Sequence, residues 1–248
     1  MKSVFQDNYK SYKKNIDTLI ASYDTKGEQL KDARNKLKIF DLDHFKVNIK
    51  SFKIPNIFNQ IVYRFLRKGK AQRSFEYAKK LLDMGIGTPN PIAYYERKTL
   101  LLFKKSYYVS EQLTYDFTYR EVNNDPYFPN RVEVLNAFVR FTFELHQKGI
   151  HFLDHSPGNT LIKKTVTGYD FFLVDLNRMK FEPMSYEKGV KNFERLSKHK
   201  DVVELMSKEY AKCVNKPEEE VFELMLNYTN AFRTKIRRKK RLKSKIKK

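Results

Sequence analysis

Two short segments constrain this 248-residue chain more than any others: Asp154-His155-Ser156-Pro157-Gly158-Asn159 and Phe172-Leu173-Val174-Asp175-Leu176-Asn177. The first sets a carboxylate and a carboxamide at the two ends of a Ser-Pro-Gly turn. The second ends an apolar run, 171–174, on a carboxylate. Hard cations prefer carboxylate and amide oxygens. Asn159 and Asp175 are therefore candidate metal ligands, and Asp154 is a candidate to accept or orient the proton of an attacking hydroxyl. Either Asp alone is also an ordinary turn residue or strand terminator, so the order of the surrounding segments decides between the readings.

Upstream, Phe45-Lys46-Val47-Asn48-Ile49-Lys50 alternates polar and apolar residues as a strand does. Its Val-x-Ile-Lys ending resembles the strand that supplies the phosphate-contacting lysine in kinases, which makes Lys50 the candidate, with Lys46 and Lys53 as neighbours that could be mistaken for it. Residues 70–84 carry Ala71, Phe75, Ala78, Leu81 and Leu82 at helical spacing and stop at Gly85. Glu76 in this helix is the natural ion-pair partner of Lys50, although a local pair with Lys80 at i,i+4 is the simpler alternative. A turn cluster at 85–91 leads to a strand at 92–95, and 106–113 reads as a further strand entering a linker. Leu135, Phe138, Val139, Thr142 and Leu145 form a core-facing helical stripe. That helix delivers the chain through Gly149-Ile150 to Asp154.

The Asp154-to-Asn159 spacing is that of the protein-kinase catalytic loop, and the series lysine strand, glutamate helix, linker, core helix, loop and strand-Asp runs in kinase order. Over residues 27–196 the chain resembles the lipopolysaccharide core kinases, which phosphorylate Kdo (3-deoxy-D-manno-octulosonic acid) or heptose and are relatives of the protein kinase-like superfamily. The resemblance is carried by Ala33-Arg34-Asn35, Val47-Asn48-Ile49-Lys50, Lys70-Ala71-x-x-Ser74, Thr88-Pro89-x-Pro91-Ile92, Ser106-Tyr107-Tyr108, Ser156-Pro157-Gly158-Asn159 and Val174-Asp175-Leu176-Asn177-Arg178. It implies an α+β, two-lobed protein kinase-like fold, with a small, mainly β N-lobe over about 1–110 and a helical C-lobe over about 114–232. It also implies ATP and Mg²⁺ as cofactors, adenine near Glu111 and Leu113, and a lipid-linked saccharide acceptor (lipid A-core) at the cytoplasmic membrane face.

Two departures stand out. The position two before Asp154, commonly His in kinase loops, is Phe152, with His151 one place earlier. No G-x-G-x-x-G precedes Lys50, so residues 33–36 are the substitute cover for the phosphates. After Asp175 only 176–184 intervene before a helical stretch, and no Ala-Pro-Glu occurs, which favours a small or sugar-like acceptor over a peptide. Arg178, Lys188 and Arg195 are candidate contacts to an anionic sugar, because guanidinium groups suit carboxylates.

The net charge of +21 is concentrated at the C-terminus. Eleven Lys and Arg fall within 233–248 with no acid among them, a block expected to be disordered or to extend the preceding helix. Anionic lipid is its favoured target. Nucleic acid ranks below, since no zinc spacing or RNA-binding aromatic motif accompanies it. A single cysteine, Cys213, excludes an internal disulfide. The N-terminus lacks the apolar stretch of a signal peptide, so a cytoplasmic protein, peripheral on the inner face of the cytoplasmic membrane, is expected. The alternatives are a kinase-like binding protein with little turnover, and a minimal Ser/Thr kinase whose basic tail binds RNA.

Overall fold

The computed structural model describes residues 1–32 and 35–246, grouped into two units: 1–114 together with 175–177, and 115–174 together with 178 onward. The first unit contains β1 (Lys2–Phe5), a 3₁₀ turn (Asp7–Tyr12), α1 (Lys13–Ala21), β2 (Glu28–Asp32), β3 (Lys36–Leu42), β4 (Phe45–Phe52), α2 (Ile57–Phe65), α3 (Lys70–Asp83), β5 (Pro91–Lys98) and β6 (Phe103–Glu111). Its strands form one antiparallel sheet in the order β1-β5-β6-β4-β3-β2. Side-chain alternation splits the packing between the two sheet faces. Val47, Ile49, Ala93, Tyr95, Tyr107 and Val109 pack with Ile16 of α1, whereas Phe52 and Tyr94 pack with Ala71 and Phe75 of α3. Lys50 shares the α3 face with Phe52, its ammonium 5.4 Å from the centre of that ring. Of the stretch expected to cover the phosphates, Ala33 and Arg34 lie outside the described residues.

The second unit contains β7 (Phe117–Thr118), α4 (Tyr119–Asn124), α5 (Arg131–Gln147), β8 (Ile150–Phe152), β9 (Thr160–Thr165), β10 (Gly168–Leu173), β11 (Met179–Phe181), α6 (Tyr186–Lys191), α7 (Lys200–Val214) and α8 (Glu218–Ile246). Two small antiparallel sheets, β10-β9-β7 and β11-β8, accompany the helices. The α5 stripe is as the periodicity requires: Leu135, Phe138, Val139, Thr142 and Leu145 are all fully buried. Gly149, at φ 66°, ends this helix in the left-handed conformation that glycine adopts without steric cost. As far as Ile246 the basic C-terminal block is the continuation of α8, and from Arg233 to Lys245 its lysines and arginines are exposed. No helix among the described residues is long and apolar enough to cross a membrane.

Phe138 lies at the centre of the second core. Its ring stacks on Tyr119 (4.1 Å between centroids) and on His155 (5.4 Å) and tilts against Phe171 (5.9 Å). Phe138→Ala should therefore destabilise the protein by about 3–5 kcal/mol, through lost transfer energy plus an unfilled cavity. Urea unfolding of the purified variant checks this, and a loss below about 1 kcal/mol would show that the site collapses around the smaller residue.

Candidate active site

In the first unit, Lys50 and Asp175 meet. The Lys50 Nζ lies 2.7 Å from Asp175 Oδ1, both side chains being mostly withdrawn from solvent. Residues 175–177 belong to this unit although the residues on either side of them do not. Asp175 has a φ of 61°, in the left-handed region that a non-glycine residue rarely adopts. Asn177 Nδ2 donates to the same Asp175 oxygen at 2.5 Å, so the carboxylate is held from two directions. Sequence reasoning treated Asn177 only as part of a motif. Its place two residues from the acid, where an amide can bond the neighbouring carboxylate, was the available signal.

The expected partner of Lys50 is not the one observed. Glu76 on α3 accepts from Lys68 Nζ through both oxygens at 2.9 Å and from Gln72 Nε2 at 2.9 Å. Lys68 stands just before α3 and reaches the first turns of that helix, so it takes the carboxylate that kinase order assigned to Lys50. At the linker, the Glu111 carboxylate accepts from Tyr9 Oη at 2.6 Å and Asn90 Nδ2 at 2.8 Å. Burial and this carboxylate push the Tyr9 hydroxyl pKa upward. Gln112 donates through its backbone to Lys46 O and through its side chain to Leu113 O, which fixes the linker backbone beside β4.

The second unit builds the Asp154 loop. Asn159 Nδ2 donates to Asp154 O at 2.8 Å, closing the turn, and Val174 N donates to Asn159 O at 3.0 Å, tying the loop to the end of β10. With its amide nitrogen committed, Asn159 keeps its carboxamide oxygen as an acceptor. Gly158 lets the Arg120 guanidinium approach the turn, since a Cβ there would displace it. Arg195 donates to Leu153 O at 2.9 Å and lies 2.6 Å from Asp154 Oδ1. Arg178 Nη1 stands 3.8 Å from Asp154 Oδ2, and Lys188 Nζ lies 3.5 Å from Glu182. Of the three proposed sugar contacts, two thus surround the Asp154 carboxylate and the third pairs with an acid next to β11.

Beneath this loop lies a histidine network that sequence reasoning missed. Phe152, in the usual histidine position, is fully buried in β8. His155, also fully buried, packs between the Phe138 and Phe152 rings, with Nε2 3.4 Å from Thr142 Oγ1. His146 contacts Tyr210 Oη at 3.0 Å and Asn192 Oδ1 at 3.1 Å, and Asn192 in turn donates to Phe152 O at 2.9 Å. Through Asn192, His146 is thus linked to the backbone carbonyl of Phe152.

Among the described residues no group of three or more His, Cys, Asp and Glu gathers as a metal cluster. The Asp175 carboxylate in the first unit and the Asn159 carboxamide oxygen in the second are each a donor of the kind taken by a hard cation that keeps much of its water, as Mg²⁺ does.

Desolvation holds both buried histidines neutral, with the pKa of His155 lowered to about 3 and that of His146 to about 4. In the unfolded chain both titrate near 6.5. Between these values the unfolded state binds more protons, so stability is complete above about pH 6.5 and is lost as pH falls toward 4, by up to about 1.4 kcal/mol per pH unit for each histidine. Urea unfolding at pH 7.5 and pH 4.5 should show this loss, and His155→Phe should show less of it. An identical pH dependence in the variant would exclude His155 as a source.

No family model matches the chain, and no curated protein matches it by sequence. Among solved structures it is similar to WaaP, solved in complex with acyl carrier protein, at a TM-score of 0.64 and 16% identity, covering 95% of this chain and 99% of that one. It also matches the kinase domain of Mycobacterium tuberculosis PknI at a TM-score of 0.43 and 13% identity, over 74% of this chain and 71% of that one. The likeness to WaaP, with a six-stranded antiparallel sheet in the N-terminal part and helices in the C-terminal part, gives this chain a protein kinase-like fold.

Proposed function

We propose that the chain is an ATP-dependent kinase that phosphorylates a sugar hydroxyl, Kdo or heptose, of the lipopolysaccharide inner core at the cytoplasmic membrane face. The observation that carries this reading is the Lys50–Asp175 pair at 2.7 Å. It brings together the two residues that kinase order assigns to the phosphates and to the metal on them. Lys50 neutralises nucleotide phosphate charge, Asp175 and Asn159 hold Mg²⁺, and adenine takes the backbone near Glu111 and Leu113. A bound Mg²⁺ supplies charge stabilisation to the transferring phosphoryl group. Asp154 orients the acceptor hydroxyl and accepts its proton.

Arg195 takes a different role from the sugar contact first assigned to it. Its guanidinium is committed to Leu153 O and Asp154 Oδ1, so it positions Asp154, while Arg178 and Lys188 remain the candidates for the anionic sugar. The short passage from Asp175 to β11, with no Ala-Pro-Glu platform, supports a saccharide acceptor over a peptide. The exposed basic end of α8 supports attraction to an anionic membrane, at about 1 kcal/mol per basic residue near the surface. WaaP's complex with acyl carrier protein supports a carrier-protein partner for this chain as well.

Turnover of ATP with Kdo-lipid A or a heptose-bearing acceptor, read by mass spectrometry as one added phosphate, tests the reading. Asp154→Ala and Asp175→Ala should each reduce turnover by about 10²-fold or more while folding persists. Lys50→Met should weaken nucleotide-dependent turnover, whereas Glu76→Gln should change it little because Glu76 is paired with Lys68. Near-normal rates in the Asp154 and Asp175 variants would eliminate the assignment. Arg195→Met should lower kcat with the KM for ATP nearly unchanged, and Arg195→Lys should recover part of the loss. A rise in acceptor KM alone would return Arg195 to substrate binding.

A further inference from the structure

The first unit carries an apolar surface that the phosphotransfer reading does not use. On α2, Ile57, Phe58, Ile61 and Phe65 fall at i, i+1, i+4 and i+8, one face of the helix, and all four are exposed, Phe58 to 71%. Leu66, just past the helix, is 80% exposed. The opposite side anchors α2: Gln60 Nε2 donates to Pro55 O, Tyr63 packs against Phe103 of β6 (5.8 Å), and the Arg73 guanidinium lies over the Tyr63 ring (5.9 Å).

The helix therefore points its apolar side outward by construction, the reverse of the usual arrangement for a surface helix. The turn of the β5–β6 hairpin adjoins it. Arg64 Nε donates to Thr99 O at 3.0 Å, and the next two residues of that turn, Leu100 and Leu101, are 83% and 62% exposed.

Charge indicates what this surface meets. No acidic residue occurs between Asp43 and Glu76 or between Glu96 and Glu111, while Arg64, Arg67, Lys68, Arg97, Lys98 and Lys104 flank the apolar side chains. Lys68 and Lys98 are paired with Glu76 and Glu96, and the flank remains basic after those pairs are discounted. Contiguous exposed apolar groups mark an interaction site. An outward apolar helix face rimmed by basic residues suits the boundary between anionic headgroups and acyl chains, where burial and electrostatic attraction act together.

We propose that α2 and the tip of the β5–β6 hairpin insert into the interfacial layer of an anionic phospholipid bilayer. This surface does not include the basic end of α8, and the inference stands whether or not the chain transfers phosphate. The hairpin tip and helix end enter the acyl boundary, and the flanking lysines and arginines remain at headgroup level.

The chain has no tryptophan, so Phe58→Trp in the full-length protein places a single indole reporter on the surface. With vesicles of phosphatidylglycerol and phosphatidylethanolamine, its fluorescence should shift to the blue and be quenched by acyl-chain-brominated lipid. It should change little with phosphatidylcholine alone. The triple variant Phe58→Ser, Leu66→Ser, Leu101→Ser should keep the parent melting temperature, since all three side chains are exposed, and bind the anionic vesicles at least about tenfold more weakly.

Reversing charge on α8 with Lys239→Glu, Lys240→Glu and Arg241→Glu should reduce capture but leave the quenching of the indole in the bound fraction intact. An indole that brominated lipid does not quench, or undiminished vesicle binding by the triple variant, overturns the proposal. So does a triple variant that loses only self-association, or only binding to an acidic acyl carrier protein, because the surface then belongs to a protein partner.

Discussion

A lysine on an interior strand of a sheet, largely withdrawn from water, needs a counter-charge, because an unpaired buried cation is costly. Lys50 sits on β4, hydrogen-bonded to β3 on one side and β6 on the other, and meets Asp175 at 2.7 Å. That requirement accounts for a peculiarity of the chain path. Three residues, 175–177, cluster with the N-terminal sheet although β10 before them and β11 after them belong with the helices. The left-handed backbone at Asp175 and the Asn177 bond to its carboxylate are the local strain and the local support of holding the acid there. The ion pair is thus a structural constraint first. It also brings a cation and an anion to one place in the first unit.

The Asp154 loop is organised by different means. Its geometry rests on backbone carbonyls: Asp154 O receives Asn159, Leu153 O receives Arg195, and Phe152 O receives Asn192. Below it an apolar stack built on Phe138, Phe152 and neutral His155 excludes water. The loop therefore sits on a rigid aromatic floor, and its one acidic side chain is oriented by a guanidinium. Arg195 in turn lies 5.5 Å from the Phe232 ring of α8, so the helix that ends in the basic block also braces the residue that holds Asp154.

Charge and apolar surface follow a common pattern. Several acids are engaged by specific partners, Glu76 by Lys68, Glu111 by Tyr9 and Asn90, and, on α7, Glu209 by Arg140 and Lys212. The excess of lysine and arginine is left on α8 and around α2. A basic balance of this kind favours anionic surfaces in general, and the exposed apolar side chains of α2 lie within one of the basic regions.

Local periodicity, which depends only on near neighbours in the chain, made much of this legible. Alternation in β4, the i, i+3, i+4 stripe of α5 and the apolar positions of α3 each identified an element and its apolar face, and 106–113 was legible as a strand. The fixed spacing of Asp154 and Asn159 identified the loop, because both ends of that hydrogen bond lie within one turn. Other decisions needed tertiary structure: that Lys50 pairs with Asp175 while Glu76 goes to Lys68, that Arg195 serves Asp154, and that Asn192, held by His146, reaches the Phe152 carbonyl. Each is a competition among several charged or polar groups of similar type, settled by which of them the folded backbone brings within about 3 Å, the range of a hydrogen bond. The outward apolar face of α2 belongs with these. Its sequence reads as amphipathic in either orientation, and only the anchoring of Gln60, Tyr63 and Arg64 determines which side is left to solvent.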